Sequence, residues 1–370
     1  MKTRPRPLCA GADDGYAGRV YALTFHAIGD IRHEQVADPA VEAPGDAVVR
    51  VARTAICGSD MHPYHGRERG LDPGCVMGHE HIGEVVAVGA EVARIRPGQR
   101  VMCPFTTSCG SCFYCRRGLS ARCERGQLFG WVEAGRGLHG AQAEYVRVPL
   151  ADTTLVPIPE ELSDDQALLM GDVLPTGYYC ARRAELDPGG VQAVVGLGPV
   201  GLMAVWTARA LGAERIFAID SVPERLALAA RFGATAVDYQ AEDAAARVRE
   251  ASDGRGADAV MELVGSPAAA ALAFDLVRPG GTVSMVGVHT EPRFAFSPAQ
   301  AYGKNLTVRI GRCPARSLMP EVTAVLTRAA GTGVDPATII THRLALTEGP
   351  RAYQMFDRKQ QGCVKIVLSP

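Results

Sequence analysis

Residues 191–201 read VQAVVGLGPVG, an apolar run of strand length that stops at a cluster of three glycines. The next stretch, LMAVWTARALGA (202–213), is built from helix formers, so the glycines stand where a strand hands over to a helix. Gly196, Gly198 and Gly201 are spaced G-x-G-x-x-G, with Pro199 and Val200 between the last two. At such a junction the glycines allow a tight turn and close backbone approach, and the positive end of the helix receives a pyrophosphate. The next apolar run, RIFAID (215–220), ends in Asp220, nineteen positions beyond Gly201. A carboxylate there accepts hydrogen bonds from adenosine ribose hydroxyls and repels a 2′-phosphate. With no arginine immediately following, the pattern favours NAD over NADP.

Working outward, the alternation continues. ERLALAARFGA (224–234), ADAVMELVG (257–265), AAAALAFDLVRPGG (268–281) and TVSMVGV (282–288) repeat helix and strand in turn. This predicts an α/β fold with a doubly wound parallel sheet over residues 169–312. Upstream, DAVVRVARTAI (46–56), EHIGEVVAVG (80–89), QRVMCPF (99–105) and AEYVRVP (143–149) are short strands broken by glycine and proline. They predict a β-rich, partly closed barrel over residues 19–168. The closing stretch, 313–370, ends in another strand and is expected to pack back on that first domain. Residues 1–18 are basic, then polar, without the apolar core of a signal peptide; they are expected to form a mobile extension.

Of the 370 residues 47% are hydrophobic, ample for two cores, and the formal charge is -1. Basic residues are spread along the chain, which argues against nucleic-acid and membrane-surface partners. No apolar run reaches membrane-spanning length. Eleven cysteines without an export signal point to the reducing cytoplasm. Four of them, Cys109, Cys112, Cys115 and Cys123, fall within CGSCFYCRRGLSARC (109–123). Thiolates this close can close a tetrahedron around zinc, which leaves no position for a substrate; disulfides are the competing reading. A second set of metal-ligand types is more scattered. CGSDMH (57–62) contains Cys57, Ser59, Asp60 and His62, and MGHE (77–80) contains His79 and Glu80.

These marks, with LPTGYY (174–179), occur in an order that resembles the zinc-dependent medium-chain alcohol dehydrogenases over nearly the whole chain from Val20. The resemblance implies a GroES-like catalytic domain, with a structural zinc lobe near residues 103–125, and a Rossmann coenzyme domain. It implies two zinc ions per chain. Cys57, His79 and Asp172 would bind the catalytic ion, and the four clustered cysteines the structural one. Asp172 stands in MGDVLPTG where many members have cysteine; with the ending GCVKIVL (362–368) it resembles the formaldehyde dehydrogenase-like branch.

The resemblance further implies hydride transfer from an alcohol, held on zinc as alkoxide, to NAD. Its proton would leave through Ser59, the nicotinamide ribose and His62, with His65 a neighbouring imidazole. Asp60 would orient His79, and Glu80 would sit beside the zinc. Thr176 would pack near the nicotinamide, and Lys365 would reach the pyrophosphate. Arg225, Val264, Val286 and Val288 complete the expected coenzyme contacts. The expected partner is a small alcohol or aldehyde, and the expected assembly a homodimer or homotetramer. Arg136 and His139 lie in a loop that could approach the cleft and favour an anionic substrate. Two alternatives stand beside this: formaldehyde dehydrogenation or aldehyde dismutation with retained NAD, and a non-catalytic NAD-binding protein.

Overall fold

The computed structural model describes residues 19–329 and 333–370; the extension expected at 1–18 lies outside them. The first unit contains ten strands: β1 (Arg19–Ala27), β2 (Asp30–Ala37), β3 (Ala47–Ala55), β4 (Cys75–Val76), β5 (Glu80–Val88), β6 (Arg100–Cys103), β7 (Trp131–Glu133), β8 (Arg136–Leu138), β9 (Tyr145–Val148) and β10 (Val156–Pro157). Six more, β11 (Val191–Val195), β12 (Arg215–Asp220), β13 (Thr235–Asp238), β14 (Ala257–Glu262), β15 (Val277–Met285) and β16 (Thr307–Ile310), build the second. β17 (Ile340–Ala345) and β18 (Lys365–Ser369) close the chain.

The second unit is a parallel sheet ordered β13-β12-β11-β14-β15-β16. β11 is buried along its whole length because helices cover both faces, which is why its sequence reads as an uninterrupted run rather than an alternation. From β11 the chain winds outward through β12 and β13, then returns to pair β14 on the other side of β11. The crevice between β11 and β14 is therefore the switch point where ligands bind such sheets.

In the first unit β3 and β5 form the antiparallel centre of a sheet ordered β10-β6-β5-β3-β18-β17, with β9 also on β3. The tail thus joins this sheet: Val367 and Leu368 of β18 pair with Ala55 and Thr54 of β3. The helix Gly349–Asp357 carries the chain from β17 to β18. It buries Tyr353, Met355 and Phe356 against Leu23, Phe25 and Ile31 of the β1–β2 ribbon. The helix Ala315–Ala329, grouped by sequence with the catalytic domain, is shared. Its Leu318, Met319 and Val322 enter one continuous core with Leu202 and Val205 of the coenzyme unit and with Ile82 and Met102 of the first. That common core fixes the cleft between the units.

Candidate metal centre and coenzyme crevice

Cys57 follows β3 and opens a single tight turn, Gly58–Asp60, in which the Asp60 carboxylate folds back to accept the Cys57 amide at 3.0 Å. His79 immediately precedes β5, after Gly78 in the left-handed region at φ 91°. Asp172 stands at the start of the helix Val173–Arg183. Three separate elements bring these side chains together. Cys57 Sγ and His79 Nε2 each lie 3.3 Å from Asp172 Oδ2. One donor atom from each of Cys57, His79, Glu80 and Asp172 lies within 4.8 Å of the others, and all four residues are buried.

The donor set fits a zinc ion. Burial and the neighbouring Asp172 push the Cys57 thiol up to about 11. Burial works to lower the His79 pKa, but Asp60 and Asp172 more than offset it and hold the imidazole well above its ordinary value. Protons thus stand where a divalent cation would relieve converging carboxylate and thiolate charge, as expected of a site whose binding releases protons. The imidazole is also oriented for the task. Its Nδ1 faces Asp60 Oδ1 at 3.2 Å, leaving Nε2 toward Cys57 and Asp172. Ser59 Oγ is 3.3 Å from the same Nε2, which puts a hydroxyl at the edge of the site.

Glu80 is turned by a partner that the sequence assigned elsewhere. Lys365, expected to reach a pyrophosphate, is fully buried, with Nζ 2.5 Å from Glu80 Oε1 and 3.0 Å from Ile56 O. The strand register of β18 beside β3 carries it into the metal centre, so the pyrophosphate assignment is withdrawn. Glu80 Oε2 has no hydrogen-bond partner among the described residues. His81, on the opposite face of β5, stacks edge-on to Phe129, and burial pushes its pKa to about 3; it is not part of the centre.

The four clustered cysteines form a separate group, again with sulfurs within 4.8 Å of one another. Cys112 Sγ and Cys123 Sγ are 4.0 Å apart, about twice a disulfide bond length. The thiols are free, which excludes the disulfide reading for them. Backbone amides point at the sulfurs: Cys112 N to Cys109 Sγ at 3.3 Å, and Cys109 N to Cys123 Sγ at 3.2 Å. Burial opposes ionisation of Cys109, but the Ser111 amide and the Arg125 side chain draw its pKa down to about 5, so a thiolate is ready for metal.

At the crevice, β11 runs into Gly196 and the helix Pro199–Ala210. A Cβ on Gly201 would lie 1.8 Å from Gly196 O, so the loop closes only with glycine there. Asp220, at the end of β12, is tied into the turn: Oδ2 accepts Leu197 N at 2.7 Å and Oδ1 accepts Ser221 N at 2.7 Å. Arg225 Nη1 approaches the same carboxylate at 3.7 Å. Val264 and Val288 are exposed just beyond β14 and β15, and Val286 is half-buried between them and the core. Thr176 faces the metal centre, donating its hydroxyl to Asp172 Oδ1 at 3.0 Å.

Comparison with known proteins assigns both units. Residues 43–160 match the model of the alcohol dehydrogenase GroES-like domain, and 199–328 that of the zinc-binding dehydrogenases. Zinc-type alcohol dehydrogenase B of Aspergillus flavus is 44% identical over 319 residues, covering 83% of this chain and 72% of that protein. The chain belongs to the zinc-dependent medium-chain alcohol dehydrogenase family. The NADP-dependent isopropanol dehydrogenase of Thermoanaerobacter brockii is 33% identical over 94% of this chain and 97% of its own. Among solved structures, alcohol dehydrogenase TADH from Thermus sp. ATN1 superposes with a TM-score of 0.87 at 42% identity, covering 94% of this chain and 99% of that one.

Within this family member, several residues that sequence reasoning passed over support the site. Glu262, fully buried at the end of β14, accepts Val264 N and Gly265 N at 2.8 and 2.7 Å and meets His289 Nε2 at 3.0 Å. Gln142 and Tyr353 are buried behind Asp60. The cationic loop residues named from sequence stand elsewhere: Arg136 is exposed on the β7–β8 hairpin, and His139 Nδ1 accepts Val76 N at 3.1 Å. Besides the Lys365 ammonium, a second cation within electrostatic range of Asp172 is Arg312, just after β16, whose side chain has no hydrogen-bond or ion-pair partner among the described residues. No helix of the described residues is long and apolar enough to cross a membrane.

Proposed function

We propose that this chain is an NAD-dependent alcohol dehydrogenase whose working metal is held by Cys57, His79 and Asp172, while the four-cysteine lobe holds a structural zinc. The observation that carries the reading is the convergence of Cys57, His79 and Asp172, from three separate elements, on one buried point. When bound, zinc supplies the Lewis acidity that lowers the pKa of an alcohol hydroxyl, and the nicotinamide supplies the hydride acceptor. The chain's own residues do the rest. Asp60 holds the His79 ring with Nε2 inward, and Ser59 Oγ relays a proton at the site's edge, accepting one as it gives up its own. His62, three residues on, takes the proton onward. It suits that task because burial lowers its pKa and its Nδ1 has no partner among the described residues. His65 is already engaged with Asp357 at 2.9 Å.

Two expected outcomes test the finer claims. His62→Gln lowers kcat at neutral pH by about tenfold, and the deficit shrinks as rising pH supplies solvent base; a flat deficit across pH removes His62 from the relay. For the coenzyme, the Asp220 carboxylate supports NAD, and kcat/KM with NAD should exceed that with NADP by tenfold or more. The opposite preference would make Arg225, beside that carboxylate, the partner of a 2′-phosphate. The primary experiment is NADH formation by the zinc-loaded protein over a panel of neutral alcohols, anionic alcohols and formaldehyde. Activity that vanishes in Cys57→Ala supports the reading, and Arg312→Leu should weaken anionic alcohols selectively if they are preferred. Paired alcohol and acid from an aldehyde, with no net NADH, would instead assign dismutation with retained NAD. A dimer or tetramer is the assembly proposed from family habit.

A further inference from the structure

Behind the metal centre runs a chain of hydrogen bonds that reaches the C-terminal part of the protein. Tyr353, on the helix Gly349–Asp357, donates its hydroxyl to Gln142 Oε1 at 2.8 Å. Gln142 Nε2 donates to Ala55 O at 3.1 Å and to Asp60 Oδ2 at 3.3 Å. Asp60 Oδ2 also accepts Cys57 N at 3.0 Å, while Oδ1 lies 3.2 Å from His79 Nδ1. Tyr353 and Gln142 are both fully buried, 211 residues apart in sequence.

We propose that Gln142 and Tyr353 are positioning residues for the metal ligand His79, acting through Asp60. The inference rests on the reading that Cys57, His79 and Asp172 hold zinc. The geometry leaves the amide one useful orientation. Its NH2 group must meet two acceptors, Ala55 O and Asp60 Oδ2, and a flipped amide would set its oxygen against both. A phenol hydroxyl at Oε1 selects the productive orientation, because it donates there. Burial and the nearby Asp60 charge hold the Tyr353 pKa well above its ordinary value, so it stays a donor throughout the working pH range. The Gln142 backbone is itself fixed: its amide donates to Met77 O at 2.8 Å and its carbonyl accepts Leu23 N at 2.7 Å. Gly78 fits the same account, since a Cβ there would meet Gln142 Cγ at 2.4 Å. The residue before the ligand is thereby kept small enough for the amide that steadies the ligand. Buried networks of this kind constrain geometry only when every member is satisfied.

The test uses the full chain loaded with zinc, comparing wild type with Tyr353→Phe and Gln142→Leu. Zinc counts come first. Two ions in the wild type and one in Cys57→Ala establish the premise; a wild type holding only the lobe zinc sinks the zinc reading and this inference with it. Release of the second ion to a chromogenic chelator is then timed, and the cobalt-substituted protein's visible spectrum is recorded. Partners behind a metal-bound histidine typically change metal affinity by about 10–100-fold, and a link one residue further back should accelerate release by roughly tenfold. The cobalt bands should shift as the imidazole loses its fixed orientation. A purely structural role predicts a lower melting temperature with unchanged release and spectrum, and that result overturns the proposal while leaving the zinc reading intact. Should Gln142→Leu fail to fold, Tyr353→Phe, which removes one oxygen and no shape, decides alone.

Discussion

His79→Ala is expected to yield a folded protein that binds coenzyme, carries one zinc instead of two, and oxidises alcohols at least about a thousandfold more slowly. The magnitude follows from what is removed. A Lewis acid at the reacting oxygen is worth several kcal/mol, and about 1.4 kcal/mol is a factor of ten in rate. The fold survives because the site's elements are anchored elsewhere, β3 and β5 through their ladder and the helix Val173–Arg183 through the shared core. Zinc content by elemental analysis, coenzyme binding by fluorescence and the steady-state rate check the three parts separately. The lobe should give the reverse signature. Cys112→Ser loses the other zinc and lowers the melting temperature, since structural zinc contributes folding free energy directly, yet the residual folded protein keeps its metal centre. A variant of the lobe that abolished turnover without loss of fold would mean that the two sites have been assigned the wrong way round.

The parts of this architecture legible in sequence are those that local chemistry dictates. The strand–glycine–helix junction at 191–201 is specified within eleven residues, because the turn needs glycine and the central strand needs apolar residues on both faces. The four-cysteine lobe is equally local. Cys57, His79 and Asp172 were harder: each is ordinary alone, and only the family resemblance tied them together before the fold brought them within reach. What was misread depends on long-range register. Lys365 sits in a closing strand that the sequence assigns to the first domain without naming β3 as its neighbour, so from sequence the lysine is expected at the pyrophosphate. His139 looked like a loop cation, yet its ring is spent on a backbone amide of β4. Gln142, Tyr353 and Glu262 carried no sequence signal, because a buried hydrogen-bonded side chain is recognised by its partners and not by its spacing.

Replacing that lysine gives the second large effect. Lys365→Met keeps most of the side chain's volume but leaves Glu80 as an unpaired carboxylate in a fully buried place. Breaking a buried ion pair from one side costs about 3–5 kcal/mol, well above the effect of an exposed pair. Burial already raises the Glu80 pKa above its ordinary value even beside Lys365, and removing the ammonium raises it further. The sign of the pH dependence follows. A carboxyl whose folded-state pKa lies above its unfolded value costs nothing while both states are protonated; its penalty grows as pH rises from the unfolded value to the folded one and levels off above it. The variant should therefore approach wild-type stability in acid and fall progressively below it toward neutral pH. Adding Glu80→Gln removes the stranded charge and should recover most of the loss, because two neutral side chains can share a site that one charge cannot. Thermal unfolding of the three proteins across pH reads all of this. A Lys365→Met deficit that stays constant with pH, or that Glu80→Gln does not relieve, would show that Lys365 acts by donating to Ile56 O and not by holding Glu80 at the metal centre.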